Sequence, residues 1–176
     1  MQAILERYFC TETPHSMTSL YPNLEGRRIV LASQSPRRRE LMGKLGLDVE
    51  CMARNLDESW PQEIEGVEVA RFVATQKANG YLDVLSPGDV LITGDTVVVL
   101  DGKVLEKPRD AHHAREMLRQ LSGQTHTVAS AVAVTTLESG TECALDLCEV
   151  TFAPLTDTFI EAYVATGSPM DKAGAY

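Results

Sequence analysis

The chain has 176 residues, 44% of them hydrophobic and 6% aromatic, with a formal net charge of −9. That length supports one sizeable core in a single globular domain. The acidic balance excludes the broad basic face that a nucleic-acid or anionic-membrane partner requires, and no apolar run approaches the roughly 18 residues of a membrane span.

A small anionic ligand stays compatible, since it needs only a local cluster of cations. Cys10, Cys51, Cys143 and Cys148 show neither CxxC pairing nor the Cys/His spacing of a zinc site. Reduced thiols in a cytoplasmic protein are expected.

Residues 1–27 are polar, interrupted by Pro14, Pro22 and Gly26, and lack the layout of a secretory signal. They read as an irregular arm ahead of a domain over residues 28–176, with Met17 as an alternative start. Residues 28–32 then form a short apolar run suited to a buried strand. Ser35 is a good N-cap and Pro36 a good first helical residue, so a helix over residues 36–45 follows, stopped by Gly46. Arg37, Arg38 and Arg39 crowd its first turn. That is the wrong end for cations, because unpaired N–H groups make it partly positive and each misplaced cation forgoes roughly 0.3–1 kcal/mol. Strand, polar turn, helix N-terminus and clustered arginine describe a phosphate-binding corner.

Further on, residues 48–53 read as a strand, residues 56–61 as a loop and residues 65–81 as a helix. Pro87-Gly88 is a turn, and Val90-Leu91-Ile92-Thr93 is a buried strand ending at Gly94-Asp95. Residues 96–100 and 103–105, joined by Asp101-Gly102, read as a hairpin. Asp110 caps a helix in which Ala114, Met117, Leu118 and Leu121 recur at helical spacing. Residues 125–135 and 144–152 are β-rich, and a last helix covers residues 156–165. Apolar runs alternating with helical periodicity are the α/β signature, and the hairpins make the sheet mixed.

Several charges stand where a fold alone does not call for them. Lys77 continues the row of Val69 and Val73 toward the core, so its ammonium either snorkels out or meets an anion. Asp95 closes an apolar run, and ligands of wound α/β sheets sit beyond the carboxyl ends of strands. It can bind a metal, act as a base or simply form a turn beside Gly94. Glu58, beside Asp57 in a loop, and Lys107, after a hairpin strand, read in isolation as solvated charges. His112 and His113 diverge by about 100° on a helix and share no ligand face. His126, alternating with apolar neighbours, reads as a satisfied polar residue. Walker A, GxGxxG, HExxH and GxSxG patterns are absent from the sequence.

The ordered blocks Leu31-Ala32-Ser33-Gln34-Ser35-Pro36-Arg37-Arg38, Gln76-Lys77-Ala78, Gly94-Asp95-Thr96-Val97-Val98, Leu105-Glu106-Lys107-Pro108-Arg109-Asp110, Leu121-Ser122-Gly123-Gln124-Thr125-His126 and Asp171-Lys172-Ala173-Gly174-Ala175-Tyr176 resemble the Maf family of nucleoside triphosphate pyrophosphatases. The resemblance implies an α/β fold of the Maf and inosine-triphosphatase type: an elongated mixed β-sheet flanked by helices around a nucleotide cleft. It implies hydrolysis of a nucleoside triphosphate between the α and β phosphates, with Asp95 as proton acceptor. Ser33, Arg38, Glu58, Lys77 and Lys107 would line the site, while Arg37 and Thr96 fall at positions linked to base choice. Thr96 after the aspartate resembles the dTTP/UTP branch, where the 7-methyl-GTP branch tends to carry Gln.

The implied chemistry gathers the misplaced charges. A triphosphate needs its charge neutralised and its nucleophile aligned, and Glu58 and Asp95 suit a hard divalent cation, Mg²⁺ or Mn²⁺. A nucleotide-binding regulator of cell division or septum formation with little catalysis, and a 7-methyl-GTP pyrophosphatase, are the competing expectations. Two departures stand out. Gly94 replaces the family's usual alanine, and family members continue past the Gly-Ala-Tyr block into an Ile-Gln-Gly segment and a strand-rich tail. Sheet edges left uncovered are expected to favour pairing with a second chain, as in a homodimer, and the activity to be weakened.

Overall fold

A computed structural model describes residues 21–176. The expectations for Met17, Cys10 and most of the arm lie outside the described residues. Chain order is β1 (Ile29–Leu31), α1 (Pro36–Lys44), β2 (Glu50–Cys51), α2 (Glu68–Asn79), β3 (Val90–Leu100), β4 (Lys103–Leu105), α3 (Ala111–Leu121), β5 (Thr125–Thr136), β6 (Gly140–Thr151) and α4 (Asp157–Ala165). The strands form one six-stranded sheet in the order β2-β1-β3-β5-β6, with β4 added to β3. β1 runs parallel to β2 and β3, and the remaining pairs are antiparallel, so the sheet is mixed as the hairpins require.

Each end of this order has a local cause. β1 is buried at all three positions, the mark of a strand covered on both faces. The hairpin between β3 and β4 turns at Asp101 and Gly102, both at positive φ, as a two-residue turn demands. Asp110 and Thr156 cap α3 and α4, accepting from the backbone N–H of His113 and Phe159 at 2.8 and 3.2 Å. Ser35 precedes α1, but its side chain makes no capping bond. Instead the Ser33 Oγ accepts from the Ser35 N–H at 3.1 Å, which tightens the turn ahead of the helix.

Of the strand expected over residues 48–53 only Glu50–Cys51 pair, and three further boundaries differ from expectation. β3 is one strand of eleven residues, and Asp95 lies in its middle. β5 pairs with it from Leu91 to Val99, and this partner holds Gly94-Asp95 extended where a local reading makes them a terminus. β6 likewise begins at Gly140 because its register with β5 reaches back to the Thr136↔Gly140 pair. α2 begins at Glu68 and not at residue 65, because Gly66 sits at φ +57° and breaks any earlier helical turn.

α2 lies across one face of β3 and β5. Val69, Ala70, Val73 and Ala74 pack there against Val97, Val99, Ala129, Ala131 and Ala133. Each fully buried valine of this layer contributes roughly 1.5–3 kcal/mol. Thr93, buried in the same face, donates from its hydroxyl to the Ala74 carbonyl at 2.7 Å and sets the height of α2 on the sheet. At the other end, α3, α4 and the turns Ser168–Asp171 and Ala173–Ala175 cover the opposite face near Val98 and His126. Between that cover and α1 the opposite face stays open, with Val132 and Val134 46% and 42% exposed. Among the described residues no helix is long and apolar enough to cross a membrane.

Candidate active site

The sheet has a notch at the middle of β3. β1 pairs with β3 only as far as Leu31↔Ile92, and β4 joins only at Val98↔Leu105. Residues 93–97 therefore have β5 on one side and no strand on the other among the described residues. Side chains alternate across a strand, so Asp95 projects toward α2 while Thr96 projects to the open face. One notch thus gives access to both faces.

On the α2 side, Lys77 lies one turn beyond Ala74, the residue Thr93 anchors. Its Nζ donates to Asp95 Oδ1 at 2.9 Å and stands 2.9 Å from Glu58 Oε1. The Lys77 and Asp95 side chains are 13% and 16% exposed, whereas Glu58 is 51% exposed. Of the two alternatives for Lys77, snorkelling out or meeting an anion, the structure has the second, with two carboxylates as partners. Glu58 reaches the site from a loop pinned by its neighbour: Asp57 accepts from the Ser59 N–H and Oγ, both at 2.9 Å. Those bonds hold the Asp57 carboxyl below its ordinary range. Burial pushes the Asp95 carboxyl up, against the opposing pull of Lys77 and, more weakly, of Arg38.

On the notch and open face, Arg38 extends from the first turn of α1. Its Nη1 donates to the Gly94 carbonyl at 2.8 Å and its Nη2 to Thr96 Oγ1 at 3.4 Å. The free edge of β3 supplies that carbonyl. Gly94 has a second role here: a Cβ at this position would come 2.7 Å from the Ala131 carbonyl oxygen and 3.8 Å from Arg38 Cζ. The absent side chain lets β5 and the guanidinium close in together.

The remaining expected residues are placed less tightly. Ser33 is half-buried in the turn after β1, at the phosphate-binding corner. Arg37 is exposed; its charge contributes to holding down the Asp171 carboxyl, whose nearest partner is Lys172. Arg37 of α1 and Asp171 are thus near enough across the open face for their charges to interact. Lys107 is exposed on the loop after β4 and makes no hydrogen bond or ion pair among the described residues. Arg39, which the sequence leaves without a role, donates to Cys51 Sγ at 3.0 Å. His126 is buried, its Nε2 2.6 Å from the Tyr176 hydroxyl, while its Nδ1 has no partner among the described residues. It is only half satisfied. Ser130, 3.4 Å from Thr96 across the β3–β5 ladder, was not visible as a site residue, because only the register of two distant segments brings it there.

The donor set also suits a divalent cation. Lys77 occupies one oxygen of Asp95 and one of Glu58, leaving a second oxygen on each. Mg²⁺ commonly takes one or two carboxylates and completes its shell with water and substrate phosphate, so a larger protein cage is not required. No group of three or more His, Cys, Asp or Glu gathers around a common point among the described residues.

The mixed α/β fold is similar to that of two solved structures. The Staphylococcus aureus Ham1 protein superposes with a TM-score of 0.54 at 11% identity, covering 72% of each chain. The nucleoside-triphosphatase, or dITP/XTP pyrophosphatase, of Mycobacterium abscessus does so with a TM-score of 0.50 at 18% identity, covering 70% of this chain and 73% of that one. At such identities the likeness shows the fold alone.

Sequence comparison goes further. The family model described as Maf-like protein matches residues 28–176, and the chain belongs to the Maf family. A Bacteroides thetaiotaomicron protein named dTTP/UTP pyrophosphatase is 45% identical over 155 residues, spanning 88% of this chain and 80% of its own length. An Escherichia coli protein of the same name is 46% identical over 161 residues, spanning 91% of this chain and 76% of its own.

Proposed function

We propose that the chain hydrolyses nucleoside triphosphates, UTP and dTTP foremost, between the α and β phosphates, releasing the monophosphate and pyrophosphate. The observation that carries this reading is the placement of Asp95, mid-strand at a break in the sheet edge, with Lys77 on one side and Arg38 on the other. The names of the 41–46% identical relatives supply the reaction and the bases.

Lys77, Arg38 and the N-terminus of α1 bring positive charge to the triphosphate from three directions, with Lys107 and Ser33 at the margin of the same opening. Asp95 Oδ1 is held by Lys77, which fixes the carboxylate plane and leaves two lone pairs on Oδ2, one for the cation shared with Glu58 and one to accept the proton of the attacking water. Raised basicity suits that role, since a carboxylate destabilised by burial holds a proton more firmly. Glu58 and Asp95 would hold Mg²⁺ or Mn²⁺, which when bound supplies charge neutralisation on the triphosphate oxygens. Arg37 and Thr96 face the nucleoside end. A role in clearing nucleotides from a cytoplasmic pool accords with this chemistry.

Pyrophosphate release across UTP, dTTP, CTP, ATP, GTP and 7-methyl-GTP, with and without a chelator, tests the reading. Turnover of UTP and dTTP ahead of the others supports it, and loss of turnover on chelation supports the cation. Release of orthophosphate alone, or equal turnover of all six, contradicts it.

A further inference from the structure

The open face beside the notch carries an ordered row that the proposed reaction has not yet used. Strand register aligns Thr96 of β3 with Ser130 of β5, and Ser130 with Asp146 of β6. The row above it is apolar and low: Gly94, Val132 and Ala144. Thr96 and Asp146 are exposed and Ser130 is half-buried, in the middle of a sheet whose other face is core.

A guanidinium only donates, so Thr96 Oγ1 accepts from Arg38 Nη2, and its remaining lone pair and proton meet Ser130 Oγ at 3.4 Å, where either hydroxyl can be the donor. With Thr96 donating, Ser130 has its own proton to offer outward. Both contacts are long for such groups, so they can yield to a better-placed ligand atom. Asp146, one strand further out, is an acceptor when ionised. From Ser130 to Asp146 the surface therefore presents a donor and then an acceptor.

Resting on the nucleotide reading above, we propose that Ser130, with Asp146 beside it, reads the nucleobase edge and selects 4-oxo pyrimidines over cytosine. Uracil and thymine present a carbonyl oxygen at position 4 and an N–H at position 3, matching that donor and acceptor in order. Cytosine presents an amino group and a bare nitrogen at the same two places, so the Asp146 carboxylate faces another acceptor and Ser130 must turn its proton away to accept. The ring lies beside the Arg38 guanidinium, over Val132 and Ala144, where the short alanine leaves it room and the thymine methyl meets valine. Arg37 and the Ser168–Asp171 turn close the sides.

Calorimetric binding of non-hydrolysable α,β-imido analogues of UTP and CTP tests this without depending on turnover. The unmodified protein prefers the UTP analogue. Ser130→Ala reduces that preference about tenfold, the worth of one well-placed hydrogen bond. Ser130→Thr, which keeps the hydroxyl, holds it within about threefold. Asp146→Asn, able to donate to the cytosine ring nitrogen, gains affinity for the CTP analogue. An unchanged preference in both Ser130→Ala and Asp146→Asn overturns the assignment, as does equal loss in Ser130→Ala and Ser130→Thr. Binding of neither analogue to the unmodified protein overturns it together with the nucleotide reading. Selective binding with no pyrophosphate release from UTP leaves the base assignment standing and removes the hydrolytic function alone.

Discussion

Replacing Lys77 with methionine separates the site's electrostatics from its packing. The ammonium is 2.9 Å from both Asp95 and Glu58, and methionine keeps most of the stem while leaving two carboxylates without their shared cation. Removing one partner of a fully buried pair costs about 3–5 kcal/mol. Asp95 retains 16% exposure and Glu58, at 51%, can turn outward, so the lower figure of about 2–3 kcal/mol applies. For a domain of this size that is a drop in Tm of roughly 5–10 °C.

The loss depends on pH in a defined sense. Asp95 has a folded pKa above its unfolded one, so its contribution to stability is present below the unfolded value and is lost as pH rises through the folded value. Without Lys77 that pKa rises further, and Lys77→Met is penalised most where Asp95 must ionise. Melts followed by circular dichroism at about pH 8 show the full loss, and at about pH 4 the gap to the parent narrows by half or more. The double variant Lys77→Met/Asp95→Asn recovers much of the loss at pH 8. An equal drop at both pH values, or none at pH 8, refutes the reasoning.

Asp95→Asn lowers the rate of pyrophosphate release by about 10²–10⁴-fold while calorimetry still detects nucleotide binding; unaltered turnover removes Asp95 as the base. Gly94→Ala sets a Cβ against the Ala131 carbonyl oxygen and forces β3 from β5, and a destabilisation of about 1–3 kcal/mol appears as a lower Tm in a thermal melt. A neutral outcome there means the ladder gives way at little cost. Asp89 is held below its ordinary range chiefly by the Ser86 N–H, with Arg28 adding to it. A carboxyl with a lowered folded pKa stabilises above its unfolded value and loses that effect as pH falls through the folded one. Asp89→Ala therefore lowers Tm at neutral pH, with the difference shrinking only below the ordinary aspartate range near pH 4.

Local chemistry made much of this fold legible. α3 and α4 follow their caps and apolar spacing, the β3–β4 hairpin follows Asp101-Gly102, and β1 is the buried run that precedes the arginine-rich helix. Lys77 was legible as a charge on a core-facing row. What escaped local reading is whatever long-range pairing decides. Gly94-Asp95 has the composition of a strand end, yet β5 carries the strand through it. That pairing assigns Asp95 and Thr96 to opposite faces, and it alone brings Ser130 beside Thr96. Likewise nothing local says that Gly94 must offer its carbonyl to Arg38. That follows from where β1 stops and β4 begins, which leaves the β3 edge free.

In the proposed reaction water, deprotonated at Asp95, attacks the α phosphorus of a pyrimidine nucleoside triphosphate. Hydrolysis of UTP in ¹⁸O-enriched water, with both products examined by mass spectrometry, tests it most directly. One heavy oxygen is expected in the UMP and none in the pyrophosphate. Label in the pyrophosphate, or in released orthophosphate, would contradict it.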